Sequence, residues 1–226
     1  MTSRGRVAVA ALLIVGAVAY SSWLLEFVVD TGIDPLRGFA SELAATDQRH
    51  GTLFRTGDLV AGCTVAVAGV LGLWRYSQGW ATAIGWFALC VFGVATALDS
   101  RMPMSCAVTS DPLCAAREDS GQLPLSHELH AVTSTSASTG GVVSALAFAL
   151  AACLYGWPRW LTLTGAAVSA VVVVGTAWTL AAAAIRGDHD VWLGLGQRVQ
   201  LLAFSGWLIF VSLSVLHVTG ENDGST

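Results

Sequence analysis

Two histidines three residues apart form the most chemically suggestive pair in the sequence. His127 and His130 stand in the segment HELH. On a helix this spacing places both imidazoles on one side, where they could bind one metal ion. A zinc site needs further ligands, and the nearest candidates by topology are Asp99 and His189. The pattern therefore predicts either a zinc site built from His127, His130 and Asp99 or two histidines that simply meet water at an interface.

A second pair of ionisable residues, Arg55 and Asp58, stands at the start of a long apolar run. Residues three apart share a face of a helix, so we expect an ion pair between them. Such a pair lowers the cost of placing both charges near hydrocarbon. An ionisable residue at membrane depth is also a candidate for function. The sequence leaves open whether the pair has a structural or a functional role.

Polar residues also mark two other segments. Ser41 and Glu42 begin what we interpret as a short amphipathic helix, in which Ser41 is either the N-terminal cap or part of a functional pair. Gln197 and Arg198 precede the last apolar run. We expect Arg198 either to reach the lipid headgroups or to neutralise an acidic residue, Asp99 or Glu42, inside the bundle.

The composition identifies the setting of these residues as a membrane. Of the 226 residues, 54% are hydrophobic and 12% are charged, and the mean hydropathy is +0.66. A soluble globular protein carries charge on about a quarter of its residues. All 11 basic side chains are arginines, and the chain has no basic run, zinc-finger spacing or phosphate loop. We therefore expect membrane lipid, and no nucleic acid, as a partner.

Six apolar runs are long enough to cross about 30 Å of hydrocarbon as helices. They lack the alternation of barrel strands, so the predicted fold class is all-α, a single six-helix transmembrane domain over residues 1–226. Within the fourth run we expect small residues, Ser134, Ser136, Ser138, Gly140 and Gly141, to allow close helix packing rather than to line a substrate path. The six runs are 7–29, 53–75, 80–98, 131–155, 160–185 and 199–216.

The connections between the runs are unequal. The first, third and fifth hold most of the polar residues, whereas the second and fourth are tight turns. Since each helix reverses direction, the odd connections share one membrane face. Arg4 and Arg6 precede the first helix, so we expect both termini in the cytoplasm and the polar face outside. A disulfide between Cys106 and Cys114 in the third connection would agree with this orientation, because disulfides persist in oxidising compartments.

Several of these segments together resemble a bacterial membrane family called domain of unknown function 998. The likeness rests on DPLRGFASEL, on Asp99 at the end of the third helix, on His130 in LHAVTS, and on Gln197-Arg198. It covers nearly the whole chain and implies a six-helix bundle in a bacterial plasma membrane. It also implies a shared polar site that includes the following residues: Ser41, Glu42, Asp99, His130, Gln197 and Arg198. Arg55 and Asp58 complete our candidate site.

A more distant likeness connects the chain with membrane hydrolases of the ceramidase and progestin-receptor type, which use serine, aspartate and histidines around zinc. Ser41, Asp99, His127 and His130 echo that set, but six helices replace seven and the last helix has no HxxxH pair. Besides an accessory subunit whose polar cluster merely stabilises the connections, two functions remain open. One is an integral membrane protein with a lipid-binding or small-molecule-binding polar site at the extracytoplasmic face. The alternative is a metal-dependent lipid hydrolase or transferase, with zinc as its cofactor.

Overall fold

A computed structural model describes residues 3–185 and 192–221, so the predicted ligand His189 lies outside the described residues. The described part of the chain is helical, and its seven α-helices are joined by connections that include two short 3-10 helices, Ser22–Phe27 and Ala40–Ala44. The α-helices are α1 (Ser3–Tyr20), α2 (Gly51–Arg75), α3 (Trp80–Asp99), α4 (Pro112–Asp119), α5 (Leu125–Leu154), α6 (Arg159–Ala184) and α7 (Leu193–Glu221).

Six of these elements are long and apolar enough to cross a membrane. They are α1 with the 3-10 turn that follows it, α2, α3, α5, α6 and α7. The predicted all-α bundle of six spanning helices is therefore confirmed. The short helix α4 was not predicted, and it begins with an Asp111 side chain that accepts from the Leu113 N–H and with Pro112 in the first turn, a common helix start.

Two helices begin six residues earlier than the apolar runs predict. Helix α5 begins at Leu125 directly after Pro124, and α7 begins at Leu193. Hydropathy locates only the apolar part of a helix, and both helices open with polar or small residues. His127 and His130 therefore lie inside α5, and Gln197 and Arg198 lie inside α7 rather than before it.

The spanning helices form a closed ring in the order of the chain. Each packs against its sequence neighbours, α3 packs against α5, and α7 packs against α1. Hydrogen bonds join the first connection to the third (Thr46 N–H to Met104 O, 2.9 Å) and to the start of α7 (Leu195 N–H to Leu36 O, 3.2 Å). At the other end, Gln78 accepts from the Trp157 indole at 3.0 Å. The first and third connections and the start of α7 therefore meet at one end of the ring.

Aromatic side chains fill the centre of the ring below that polar end. Tyr20, Phe92 and Phe204 are in mutual edge or tilted contact, with Tyr20 and Phe92 centroids 5.3 Å apart. One layer further down, Phe148 contacts Trp86 and Trp207 at 5.0 and 5.7 Å. These buried rings belong to one continuous core, which we call the aromatic floor. The floor closes the bundle beneath the polar end.

The predicted disulfide between Cys106 and Cys114 is present in the third connection, with Cα atoms 6.0 Å apart. It closes a loop that contains Thr109 and the start of α4. Cys63, Cys90 and Cys153 are free and lie within α2, α3 and α5. The bond therefore holds a loop at the polar end of the ring, where Thr109 contacts the first connection.

Candidate functional site

The first connection forms a roof over the polar end of the ring. Residues 34–45, which we call the roof segment, contain the 3-10 helix Ala40–Ala44, whose Glu42 and Leu43 are buried. The predicted amphipathic helix at the interface is therefore wrong, because this segment turns into the bundle. The predicted cap is wrong as well: Phe39 holds the N-terminal position, and the Ser41 hydroxyl lies 3.7 Å from the Met104 sulfur.

Arg198 anchors the roof segment from α7. Its Nε and Nη2 donate to the two Glu26 carboxylate oxygens at 2.7 and 2.5 Å, and its Nη1 donates to Gly38 O and Gly194 O. Both side chains are buried, at 5% and 1% exposed. The expected pairing of Arg198 with Asp99, Glu42 or the lipid headgroups is therefore wrong. A bidentate guanidinium uses its fixed fork geometry to bind one carboxylate and still reach backbone carbonyls.

Glu26 reaches this arginine because the first helix changes shape at Ser21. The Ser21 hydroxyl donates to Ala17 O at 2.9 Å and contacts the Ser205 hydroxyl at the same distance. Side chains that bond their own backbone compete with the helical ladder, and here the chain tightens into the 3-10 turn Ser22–Phe27. We did not single out Glu26 as a site residue. The sequence did indicate its importance, because Glu26 is an acidic residue inside the apolar run 7–29 and an acidic side chain at membrane depth requires a partner.

Three further side chains hold the roof segment in place. Gln197 accepts from the Ala40 N–H at 2.6 Å, and Arg55 Nη1 donates to Ala44 O at 2.6 Å. Glu42 accepts from the Thr109 N–H at 2.8 Å and from the Thr109 hydroxyl. The expected ion pair of Arg55 with Asp58 does not form, because the guanidinium is turned toward the roof. Arg55, Gln197 and Glu42 therefore position the roof, and Thr109 links it to the disulfide loop.

Beneath the roof lies a polar cavity of about 90 Å³, which we call the inner chamber. Asp58, Asp99 and His130 line it together with Gln197, Ser41 and other polar groups. Aromatic residues line it too, and Ala40 and Ala44 of the roof cover it. The aromatic members are Tyr20, Trp23 and Phe54. Four helices and the roof thus bring together most of the residues that the sequence singled out.

Asp99 and His130 form the central pair of the chamber. His130 Nδ1 lies 3.0 Å from Asp99 Oδ1, and the side chains are 12% and 19% exposed. The contact meets the distance of an ion pair but not hydrogen-bond angles, since Nδ1 has no hydrogen-bond partner among the described atoms. The Thr133 hydroxyl, which the sequence did not single out, donates to the same carboxylate oxygen. Asp99 therefore contacts the Thr133 hydroxyl and the His130 imidazole on two sides.

Asp58 differs from Asp99 in having no hydrogen-bonded partner among the described residues. The Asp58 side chain is half-buried, and its carboxyl group interacts electrostatically with Asp99 and His130. The remaining exposed part of Asp58 borders the inner chamber. An unpaired carboxyl group in a low-dielectric site is costly unless it is protonated or meets a positive charge. Of the two carboxyl groups that line the chamber, Asp58 is therefore the one without a hydrogen-bonded partner among the described residues.

A larger cleft of about 510 Å³ adjoins the chamber between α5, α6 and α7, and we call it the outer cleft. His130, Ser134 and Ser138 line both spaces. These two serines thus border cavity space, whereas Gly140 and Gly141 pack tightly against α3 and Phe204, as expected. Hydroxyl and amide groups continue into the cleft at Thr135, Thr139, Thr176, Thr179 and Gln200.

The outer cleft opens toward the side of the bundle. α5 and α6 share the smallest interface among neighbouring spanning helices. Several lining residues are also exposed on the outer surface, including Thr139, Val143 and Leu180. A molecule in the surrounding lipid therefore has a lateral route into the cleft, whose deeper end at Val142 and Val143 is apolar and whose upper end is polar.

His127 and His130 do not face a common point with Asp99. His127 Nδ1 accepts from the Ser105 N–H at 3.0 Å, and its Nε2 lies 3.7 Å from Glu118. Within residues 3–185 and 192–221, no group of three or more His, Cys, Asp or Glu side chains is placed to hold a metal ion. The described residues thus do not form a zinc ligand set, and zinc at this site stays a prediction.

The comparison with known families identifies the chain. A family model described as "Protein of unknown function (DUF998)" matches residues 13–214. The chain belongs to this family. No curated protein and no solved structure matches it. The matched region of this DUF998 protein includes the roof segment, the Asp99–His130 pair and the two α7 residues that anchor the roof. In this member, the segments that carried the resemblance therefore build one site and its cover.

Proposed function

We propose that this DUF998 protein binds an amphiphilic molecule, a lipid or lipid-like compound, which enters the outer cleft from the membrane. The observation that carries the proposal is that a lateral cleft of about 510 Å³ adjoins a polar chamber and shares His130, Ser134 and Ser138 with it as lining residues. Ligand sites are typically apolar clefts of about 300–1,000 Å³ with a few converging polar groups. The apolar end of the cleft would hold a chain, and the headgroup would reach His130.

We further propose that the polar end faces the outside of a bacterial plasma membrane. The disulfide in the third connection supports this orientation, because such bonds persist in oxidising compartments. By sequence, seven of the 11 arginines fall on the side of the polar connections. Arg4 and Arg6 nevertheless stand at the start of the first spanning helix, which usually dominates orientation, and they support this one. The cleft would then receive its ligand from the outer leaflet.

Closing the cleft with a large side chain should remove the bound lipid. Thr179 lines the cleft from α6, and its hydroxyl bonds only its own helix at Gly175 O, so Thr179→Trp fills space without breaking an interhelical contact. We expect lipid that copurifies with the protein, measured by mass spectrometry of extracts, to fall by about tenfold or more.

The matched control is Val174→Trp, which places the same side chain at a residue of α6 that is 63% exposed. This variant should retain its lipid. Equal lipid content in the wild type and both tryptophan variants would contradict the proposal, provided that all three melt at similar temperatures.

A second candidate function is hydrolysis or group transfer on the same amphiphile, and the Asp99–His130 pair favours it. A carboxylate that orients an imidazole is the arrangement that makes histidine a general base. His130 lines both the chamber and the cleft, so its imidazole can meet a headgroup. In this version the pair would activate water or a ligand hydroxyl.

Hydrolysis of long-chain fluorogenic esters and amides tests this candidate. We expect His130→Ala and Asp99→Asn each to lower turnover by about 100-fold or more. Ser136→Ala is the control, because its hydroxyl is exposed and bonds Val132 O in its own helix. Elemental analysis of the same preparations measures zinc, and the absence of stoichiometric metal would contradict the metal-dependent version. An unchanged rate in His130→Ala would contradict the enzyme candidate as a whole.

A further inference from the structure

The inner chamber is lined by two carboxyl groups and by aromatic rings, and His130 is the one basic side chain among the residues that line it. Asp58 and Asp99 supply two carboxyl groups, and His130 faces one of them. The chain has no lysine. Arg198 and Arg55 both lie at this end of the bundle but have other partners: Arg198 binds Glu26 and backbone carbonyls, and Arg55 binds the roof. Because His130 pairs with Asp99, Asp58 has no ion-pair partner of its own among the described residues, and a cationic ligand could supply one.

The rings around the chamber point to the same kind of partner. Tyr20, Trp23 and Phe54 line it together with Asp58. Aromatic faces attract cations through their quadrupole, and groups of such rings next to a carboxylate are how proteins recognise substituted ammonium ions. This observation is independent of the acidic residues. A phosphate or sulfate group would instead meet two carboxyl groups and no guanidinium or ammonium donor.

The volumes of the inner chamber and the outer cleft indicate what kind of molecule would carry such a cation. The chamber, at about 90 Å³, is too small for a whole lipid and suits a headgroup of a few heavy atoms, since one water occupies about 30 Å³ in the liquid. The outer cleft joins it at His130, Ser134 and Ser138 and has room for an alkyl chain. The two spaces together fit a molecule with a small head and a long apolar tail.

We infer that the ligand of this site carries an ammonium headgroup, which lies in the inner chamber against Asp58 and the rings of Tyr20, Trp23 and Phe54. The inference rests on the proposed function, since it assumes that an amphiphile occupies the outer cleft. It adds the chemical class of the headgroup, an amine or quaternary ammonium, and assigns Asp58 as its counter-charge. Asp99, already held by Thr133 and His130, has the secondary role of keeping the chamber negative.

Three probes with the same chain length test the inference: dodecyltrimethylammonium, dodecanol and dodecyl phosphate. Binding of each radiolabelled probe is measured with the full-length protein in dodecyl maltoside micelles, which carry neither ammonium nor phosphate, and protein-free micelles are subtracted. We expect the ammonium probe to bind the wild type about tenfold or more tightly than the other two. Dodecanol binding as tightly as the ammonium probe would overturn the inference and leave the amphiphile site intact.

Variants of residues that line the inner chamber test whether the preference for the ammonium probe arises there. Asp58→Asn should reduce the ammonium preference to about twofold or less while dodecanol binding stays unchanged, and Trp23→Leu should weaken the ammonium probe alone. Asp47→Asn is the control, because Asp47 is an exposed acidic residue of the first connection and does not line the chamber. A full ammonium preference in folded Asp58→Asn would overturn the assignment. Failure of all three probes to bind the wild type would overturn the proposed function itself.

Discussion

Replacement of Glu26 by glutamine should destabilise the protein more than any other single polar substitution at this end of the bundle. The change leaves the Arg198 guanidinium buried without its carboxylate, and loss of one partner of a buried ion pair costs about 3–5 kcal/mol. Arg198 also holds Gly38 O of the roof segment. We expect the free energy of unfolding, measured by SDS titration in mixed micelles, to fall by that amount.

A double variant separates the ion pair from the roof contact. Glu26→Gln with Arg198→Met removes both charges, so it should recover part of the loss, but Gly38 O and Gly194 O then lack their donor. Arg75→Gln is the control, since Arg75 is exposed at the opposite end of α2, and its effect should stay within about 0.5 kcal/mol. A loss in Glu26→Gln no larger than in Arg75→Gln would show that the pair is not formed in the membrane.

Replacement of Gly62 by valine should force α2 away from α3. A Cβ atom at Gly62 would lie 2.4 Å from Ala97 N and 2.6 Å from Gly93 O, and both are backbone atoms that cannot rotate aside. Overpacking of a well-packed interface costs about 1–3 kcal/mol, and we expect at least that loss in the free energy of unfolding. The two helices carry Asp58 and Asp99, so their separation should also widen the inner chamber and weaken the ammonium preference.

Gly206→Ala is the matched control for this steric prediction. It also adds one Cβ to a spanning helix, but nothing lies within 4 Å of that position. Alanine is favoured over glycine inside a helix by about 0.5–1 kcal/mol, so this variant should be neutral or slightly stabilised. Equal stability of the Gly62 and Gly206 variants would contradict the close approach of α2 and α3.

The sequence was sufficient to predict the fold class and the face on which polar residues gather. Six runs of about 20 apolar residues leave few alternatives in lipid, because every backbone polar group must be satisfied within a helix. The disulfide pairing also followed from two cysteines in one polar connection. Asp58, Asp99 and His130 could be identified as candidate site residues because ionisable side chains at membrane depth are costly and usually have a function.

The partners of those residues could not be predicted from spacing. Arg55 lies three residues from Asp58, yet its guanidinium bonds the carbonyl of Ala44, because the roof segment brings unpaired carbonyl groups within its reach. Glu26 and Arg198 are 172 residues apart and meet only after the ring closes. A segment that folds back into the bundle has no periodic pattern, so Ser41 and Glu42 were misread as the start of an interfacial helix.

The close contact of α2 and α3 did have a signal in the sequence. Gly62 and Ala66 on one helix, and Gly93 and Ala97 on the other, stand four residues apart. This spacing of small residues allows two helix backbones to approach in a membrane. From the sequence we predict close packing only for the small residues of α5. Gly140 and Gly141 do pack closely against neighbouring helices, whereas Ser134 and Ser138 border a cavity.

The aromatic floor has a consequence for the electrical behaviour of the membrane. Within residues 3–185 and 192–221, aromatic side chains from Tyr20 to Trp207 pack against one another in the core of the bundle. We therefore expect hydrated ions and protons to find no continuous water path through the lower half of the bundle. A planar bilayer that contains the protein should keep the resistance of the bare lipid. A cell could then carry many copies without dissipating its proton-motive force.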